Sequence, residues 1–152
     1  MTYEFSTMRE LAARAFARYL PVLPAGFRLS TDNIVPSLKA QVIQHRPART
    51  LYKNRSPVCR SLDGIRALKK EQECAGCLFR KACTPQICLE ILHQGVPWRL
   101  ILAYTSARNF LLFSSRMKAR GVPLEDSTIM ISVRDRGRWG EVYFSSVPEE
   151  ER

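Results

Sequence analysis

The sequence predicts an α+β, mainly β fold: a five-stranded barrel with one helix between its third and fourth strands. Three stretches of the second half predict it. "QICLEILHQGVPWRLILAY" (86–104) is two β-rich runs around "HQGVP", with Gly and Pro in turn positions. "TSARNFLLFSSRMKARG" (105–121) is a helix that Thr105 or Ser106 can cap. Phe110, Phe113 and Met117 line one of its faces, and Gly121 with Pro123 ends it. "STIMISVRD" (127–135) alternates Ile129, Ile131 and Val133 inward, and "GEVYFSSV" (140–147) pairs back across "RGRWG". Tyr104, Phe110 and Phe113 are assigned to the core.

The first half is less regular. Thr7 and Glu10 make a capping box, and Met8, Leu11, Ala12, Ala15, Phe16 and Tyr19 recur at helical spacing, so a helix is expected there. Pro21, Pro24 and Gly26 break it. A strand near Phe27–Leu29 and a short helix after Pro36 are expected next. "RTLYKNR" (49–55) reads as extended, with Thr50, Tyr52 and Asn54 alternating against Leu51 and Lys53. The cysteine-rich segment follows, irregular apart from a helical turn near "IRALKKEQE".

The resulting order is strand, insert, strand, strand, helix, strand, strand. This is the order of an oligonucleotide/oligosaccharide-binding (OB) barrel, in which the loop after strand one, the loop between strands four and five, and the face of strands two and three grip the ligand. The division expected is an N-terminal helical extension (1–46), an OB-like barrel (47–147) containing a metal-binding insert (56–85), and a short acidic tail (148–152). The competing reading is a generic α+β sheet with one packed helix.

Charge narrows the function. The formal net charge is +10, and residues 41–83 carry ten Lys/Arg against three Asp/Glu. A compact basic segment is the electrostatic footprint of a nucleic-acid binder, although a solvated surface is the plain alternative. No apolar run approaches the ~20 residues of a membrane-spanning helix. With no secretory apolar region and an odd number of cysteines, five, a disulfide framework is not expected. The chain is expected to be soluble and cytoplasmic.

Cys59, Cys74, Cys77 and Cys83 are spaced C-x14-C-x2-C-x5-C. Four soft thiolates suit a tetrahedral zinc ion, and a full thiolate shell favours a structural role over a catalytic one. Arg60, Arg80 and Lys81 offset the charge of such a site and can face phosphate. Cys88 is the alternative to Cys59, and an iron–sulfur cluster is the alternative to zinc. "RDRGRWG" places Arg134, Arg136, Arg138 and Trp139 in one hairpin tip. Cations beside an aromatic platform suit single-stranded nucleic acid; in the other reading the arginines pair with Asp135 and Glu141. Tyr52, Lys53 and Arg55 on the first strand, with Trp98 and Arg99 at the second hairpin, form a second tier of contacts. No Gly-rich phosphate loop, paired catalytic carboxylates or nucleophile–histidine set is visible, so a non-enzymatic protein is expected.

"CAGCLFRKAC" (74–83) resembles the motif that closes the iron–sulfur staple of RecB-type nucleases and their CRISPR-associated relatives, over ten residues. That likeness implies an accessory subunit of a nuclease, transposition or CRISPR-type complex. The arrangement of residues 47–150 resembles the metal-containing single-stranded-DNA-binding proteins of phages and mobile elements, with four cysteines where the best-known zinc-bearing phage members use three and a histidine. This implies a single-stranded DNA or RNA ligand and a zinc subdomain on the binding cleft. An RNA-binding zinc protein is the third reading. A protein partner is expected at the N-terminal helix or the acidic tail, and no membrane.

Overall fold

The computed structural model describes residues 17–54, 56–62, 83–125 and 127–147. The helix expected from Met8 to Tyr19 lies outside them up to residue 16, and its expected end, Arg18–Tyr19, is a strand instead, because it pairs with Trp98 and Arg99. The helical turn near 65–73 and the acidic tail also lie outside them. The described N-terminal part consists of strands: β1 (Arg18–Tyr19), β2 (Val22–Leu23), β3 (Gly26–Ser30) and β4 (Asn33–Val35). A long β5 (Ser37–Lys53) and β6 (Ser56–Ser61) follow, then β7 (Thr84–His93), β8 (Val96–Ala103), the helix α1 (Tyr104–Ala119), β9 (Thr128–Asp135) and β10 (Gly140–Ser146). The main sheet runs β1-β8-β7-β5-β9-β10, with β6 also on β5, and β2-β3-β4 form a second sheet. The molecule is mainly β with one described helix. No described helix is long and apolar enough to cross a membrane.

The expected short helix after Pro36 is instead the start of β5. Leu38, Ala40 and Val42 alternate into the core along its first half. A bulge between Val42 and Gln44 then shifts the register against β7, and the inward side chains change parity. Beyond it His45 stands on the helix side, exposed, its ring 5.1 Å from Phe110. Pro47 is tolerated because β5 pairs β9 only over 37–41 and β6 only from 49, which leaves that edge without a ladder bond to lose among the described residues. The boundary expected between residues 46 and 47 therefore falls inside one strand. The segment before it also contributes Leu20 and Phe27, 1% and 0% exposed, to the core.

Most local patterns of the second half form as expected, although Pro97, expected in the turn, lies in β8 opposite Leu92 because the two-residue turn ends at Gly95. Gln94 and Gly95 both have positive φ, 51° and 77°, the signature of a two-residue type I′ turn between β7 and β8. Phe110, Phe113 and Met117 are the buried apolar face of α1. Val122 N–H bonds the Met117 carbonyl and Gly121 N–H that of Lys118, a Schellman ending with Gly121 at φ 72°.

The N-terminal cap differs from expectation. Ala103 holds that position without a side-chain cap, because Ser106 Oγ instead accepts the Val142 N–H at 3.0 Å. Asn109 Nδ2 donates to the Val142 carbonyl, also at 3.0 Å. No ladder joins β8 to β10 among the described residues, so α1 side chains satisfy the outward backbone of β10 at this seam. Farther along it, β2 presses against Gly140, where an added Cβ would stand 2.5 Å from the Leu23 carbonyl oxygen.

Candidate nucleic-acid interface

Along β7 and β8 the side chains alternate. Leu89, Ile91, Leu100 and Leu102 join the core, while Gln86, Cys88, Glu90, Arg99, Ile101 and Ala103 take the opposite face. Trp98 belongs with the first set: it is 7% exposed and packed in the core. Its ring is closed to stacking in this structure, unlike the contact expected of it. Arg99 stands on the opposite face, with Nε 3.7 Å from Glu90 Oε1.

That opposite face is a hydrogen-bonded layer. Gln44 Nε2 donates to Glu90 Oε2 at 2.6 Å, and Arg46 donates to Gln44 Oε1 at 3.0 Å. Thr50 Oγ1 donates to Gln86 Oε1 at 2.5 Å and accepts from Arg60 Nε at 3.2 Å. Gln86 Nε2 in turn donates to the Tyr52 hydroxyl at 3.0 Å. The Arg60 guanidinium also lies 5.7 Å from the Tyr19 ring centroid. Thr50, Gln86, Cys88 and Glu90 are all buried, so the centre of the face satisfies itself and leaves contacts to its margins.

Two margins are exposed. At one, Tyr52 (40% exposed) and Lys53 end β5; Arg55 lies outside the described residues. At the other, Trp139 is 45% exposed at the β9–β10 tip. One transverse row connects them. Tyr52 bonds Gln86, Gln86 pairs with Ala103, and Ala103 and Trp139 share the wall of a cavity of about 510 Å³.

The tip itself is ordered by its own side chains. Asp135 Oδ1 accepts the Gly137 N–H at 2.7 Å, and Arg136 N–H bonds the Trp139 carbonyl at 2.9 Å. Arg134 lies 4.4 Å over the Tyr143 ring. Arg136 donates to the Tyr143 hydroxyl at 2.6 Å and sits 3.6 Å from Glu141 Oε2. Asn109 also donates to Glu141, at 3.2 Å. The Tyr143 hydroxyl bond, followed by Asn109, Arg136 and Thr105, holds the Glu141 carboxyl below the ordinary range, against the opposing effect of burial. Two of the three tip arginines are thus engaged on β10. Arg138 is exposed and makes no ion pair among the described residues.

Tyr104 was expected in the core, yet it is 75% exposed on the rim of the same cavity. It opens α1 at φ 49°, a left-handed conformation unusual for a bulky residue, and this turns its ring outward. Its place at the strand-to-helix junction was the one signal available in the sequence.

Of the cysteines, Cys74 and Cys77 lie outside the described residues, as do Arg80 and Lys81. Cys59 on β6 pairs with Leu51, and Cys83 immediately precedes Thr84, the partner of Thr50. The two flank the same end of β5 from opposite sides, two strand spacings or roughly 10 Å apart along the backbone. Cys88 is five residues down β7, within the buried polar face and 2% exposed. Burial, with Glu90 adding to it, pushes its thiol from an ordinary 9.0 up to about 11.

Comparison of the chain with protein-family models, curated proteins and solved structures returns no match to any of the three.

Proposed function

We propose that the chain is a non-enzymatic single-stranded nucleic-acid-binding protein, with DNA as its main ligand, built on a partly open OB-like barrel that carries a structural zinc site. The observation that carries this reading is the transverse row with an exposed aromatic–cation pair at each end, Tyr52 with Lys53 and Trp139 with Arg138. Stacking surfaces beside phosphate-neutralising charge are what a sequence-tolerant single-strand site needs. The OB-like barrel is supported by the neighbour order β8-β7-β5-β9-β10 and by the helix between β8 and β9.

For the metal, Cys59, Cys74, Cys77 and Cys83 would supply four thiolates, and Arg60, Arg80 and Lys81 the compensating charge. Two observations support this choice: Cys59 and Cys83 flank one end of β5, whereas Cys88 is buried within the polar face. Zinc there would staple the insert beside the Tyr52 margin and leave no open position for chemistry.

The test is intrinsic fluorescence. With Trp98 buried, quenching by added ligand reports on Trp139. Single strands should quench it, steeply less so as salt rises, and duplex should do so poorly. Absence of any response to nucleic acid would overturn the reading in favour of a protein partner for the basic insert.

A further inference from the structure

The cavity beneath the tip contributes more than a wall to the row. Its lining is apolar on β2, β8 and β10, through Val22, Ile101, Ala103 and Val142, and its rim carries the rings of Trp139 and Tyr104. About 510 Å³ falls within the ~300–1,000 Å³ of small-ligand pockets. Two hydroxyls line it as well. Ser106 Oγ already accepts from Val142 and keeps its own proton to donate. Thr105 Oγ1 is buried and completes no hydrogen bond of good geometry, although it lies near enough to the Glu141 carboxylate to help lower its pKa. A buried hydroxyl without a proper partner calls for one.

Building on the single-strand reading above, we propose that this cavity receives one nucleobase turned out of the bound strand, stacked against Trp139, with its polar edge toward the Thr105 and Ser106 hydroxyls. A flat heteroaromatic ring matches apolar walls that offer a few polar atoms at the bottom. The neighbouring Arg138, exposed and without an ion pair among the described residues, is placed for the phosphate that accompanies the base. That charge favours a nucleotide over an apolar side chain of a protein partner. The site makes binding positional: one base in the footprint matters far more than its neighbours.

The experiment uses the full-length chain and a short oligothymidylate in which a single abasic residue is moved along the strand. The expected result is a loss of about tenfold or more at one position and little elsewhere, as for removal of one stacked base. Ala103→Phe, which fills the cavity and leaves the tip intact, should abolish that positional effect and keep the salt dependence. Thr105→Val keeps the shape and removes the hydroxyl; it should flatten the preference among thymine, cytosine and adenine at that position, and it serves if Ala103→Phe does not fold. An even, small loss at every abasic position overturns the pocket while leaving single-strand binding in place. No binding of the intact oligonucleotide overturns the single-strand reading and the pocket together.

Discussion

The Arg136 guanidinium donates a 2.6 Å hydrogen bond to the Tyr143 hydroxyl, and this contact ties the β9–β10 tip to a buried carboxylate. Tyr143 is the largest cause of the low Glu141 pKa. A depressed carboxyl pKa contributes stability that is present above the unfolded value and lost as pH falls through the folded one. Tyr143→Phe should raise the folded value toward the ordinary one. Its melting temperature should therefore lie below that of the parent at neutral pH, and the gap should close as both carboxyls protonate in acid. A gap independent of pH would mean that Tyr143 acts by packing alone.

Cys88 gives the opposite sign. Its thiol is raised from 9.0 to about 11 by burial, so its contribution is complete below pH 9 and lost as pH rises through the folded value. A two-unit shift corresponds to about 2–3 kcal/mol at most. Denaturant unfolding of the parent should weaken between pH 9 and 11, and Cys88→Ala should remove that slope at some cost from the cavity it leaves. The same burial should make Cys88 unreactive to alkylating reagents in the native state at neutral pH.

Gly140 is held by close approach rather than by a turn. A Cβ there would meet the Leu23 carbonyl at 2.5 Å and Val133 Cγ1 at 2.6 Å. Gly140→Ala should cost about 1–3 kcal/mol, as an overpacked site does. It should also push β2 off the seam, read as faster amide exchange around Leu20 and Val22.

How much of this was legible follows the range of the interactions. The β7–β8 hairpin, the buried face of α1 with its Gly121 ending, and the β9–β10 tip are written in patterns of two to four residues, and they formed as read. Only the end of β5, residues 49–53, was legible as extended; the rest was not, because the bulge at Val42–Gln44 shifts the register halfway along and no single alternation spans it. The strand near Phe27–Leu29 formed as β3, but β1 is held by a partner distant in sequence, Tyr19 beside Arg99, and the two- and three-residue strands β2 and β4 are too short to show an alternation. At the site, the residue types were visible but their neighbours were not. Arg134 and Arg136 looked alike to Arg138 until Tyr143, across the hairpin, engaged both. Trp98, a second-tier candidate after Trp139, went to the core because strand parity placed it there.

Metal removal separates the cysteines. The purified chain is expected to contain one zinc ion, and Cys59→Ser or Cys83→Ser to lose it, while Cys88→Ser retains it. Broad visible absorption in place of zinc would assign an iron–sulfur cluster to the same thiolates. Retention after Cys59→Ser with loss after Cys88→Ser would reverse the ligand assignment. Chelation should also weaken single-strand affinity, because Cys59 and Cys83, near the two ends of the insert, flank β5 beside Tyr52; unchanged affinity would make metal and binding site independent.

Arg138 and Trp139 are neighbours in sequence with separable roles at the tip. Arg138→Ala removes the one tip arginine not engaged on β10 among the described residues. It should lower affinity at low salt and reduce the slope of log affinity against log salt by about 0.7 for a single strand, the value of one phosphate contact. Trp139→Ala should cost about 1–3 kcal/mol with the slope unchanged, since stacking releases no counterion. Arg136→Ala should cost stability before affinity, because its charge already serves Tyr143 and Glu141. Trp98→Phe should lower the melting temperature and leave binding alone, as expected of a ring buried in the core. Equal salt slopes for Arg138→Ala and the parent would place the phosphate contacts elsewhere, on the Lys53 margin.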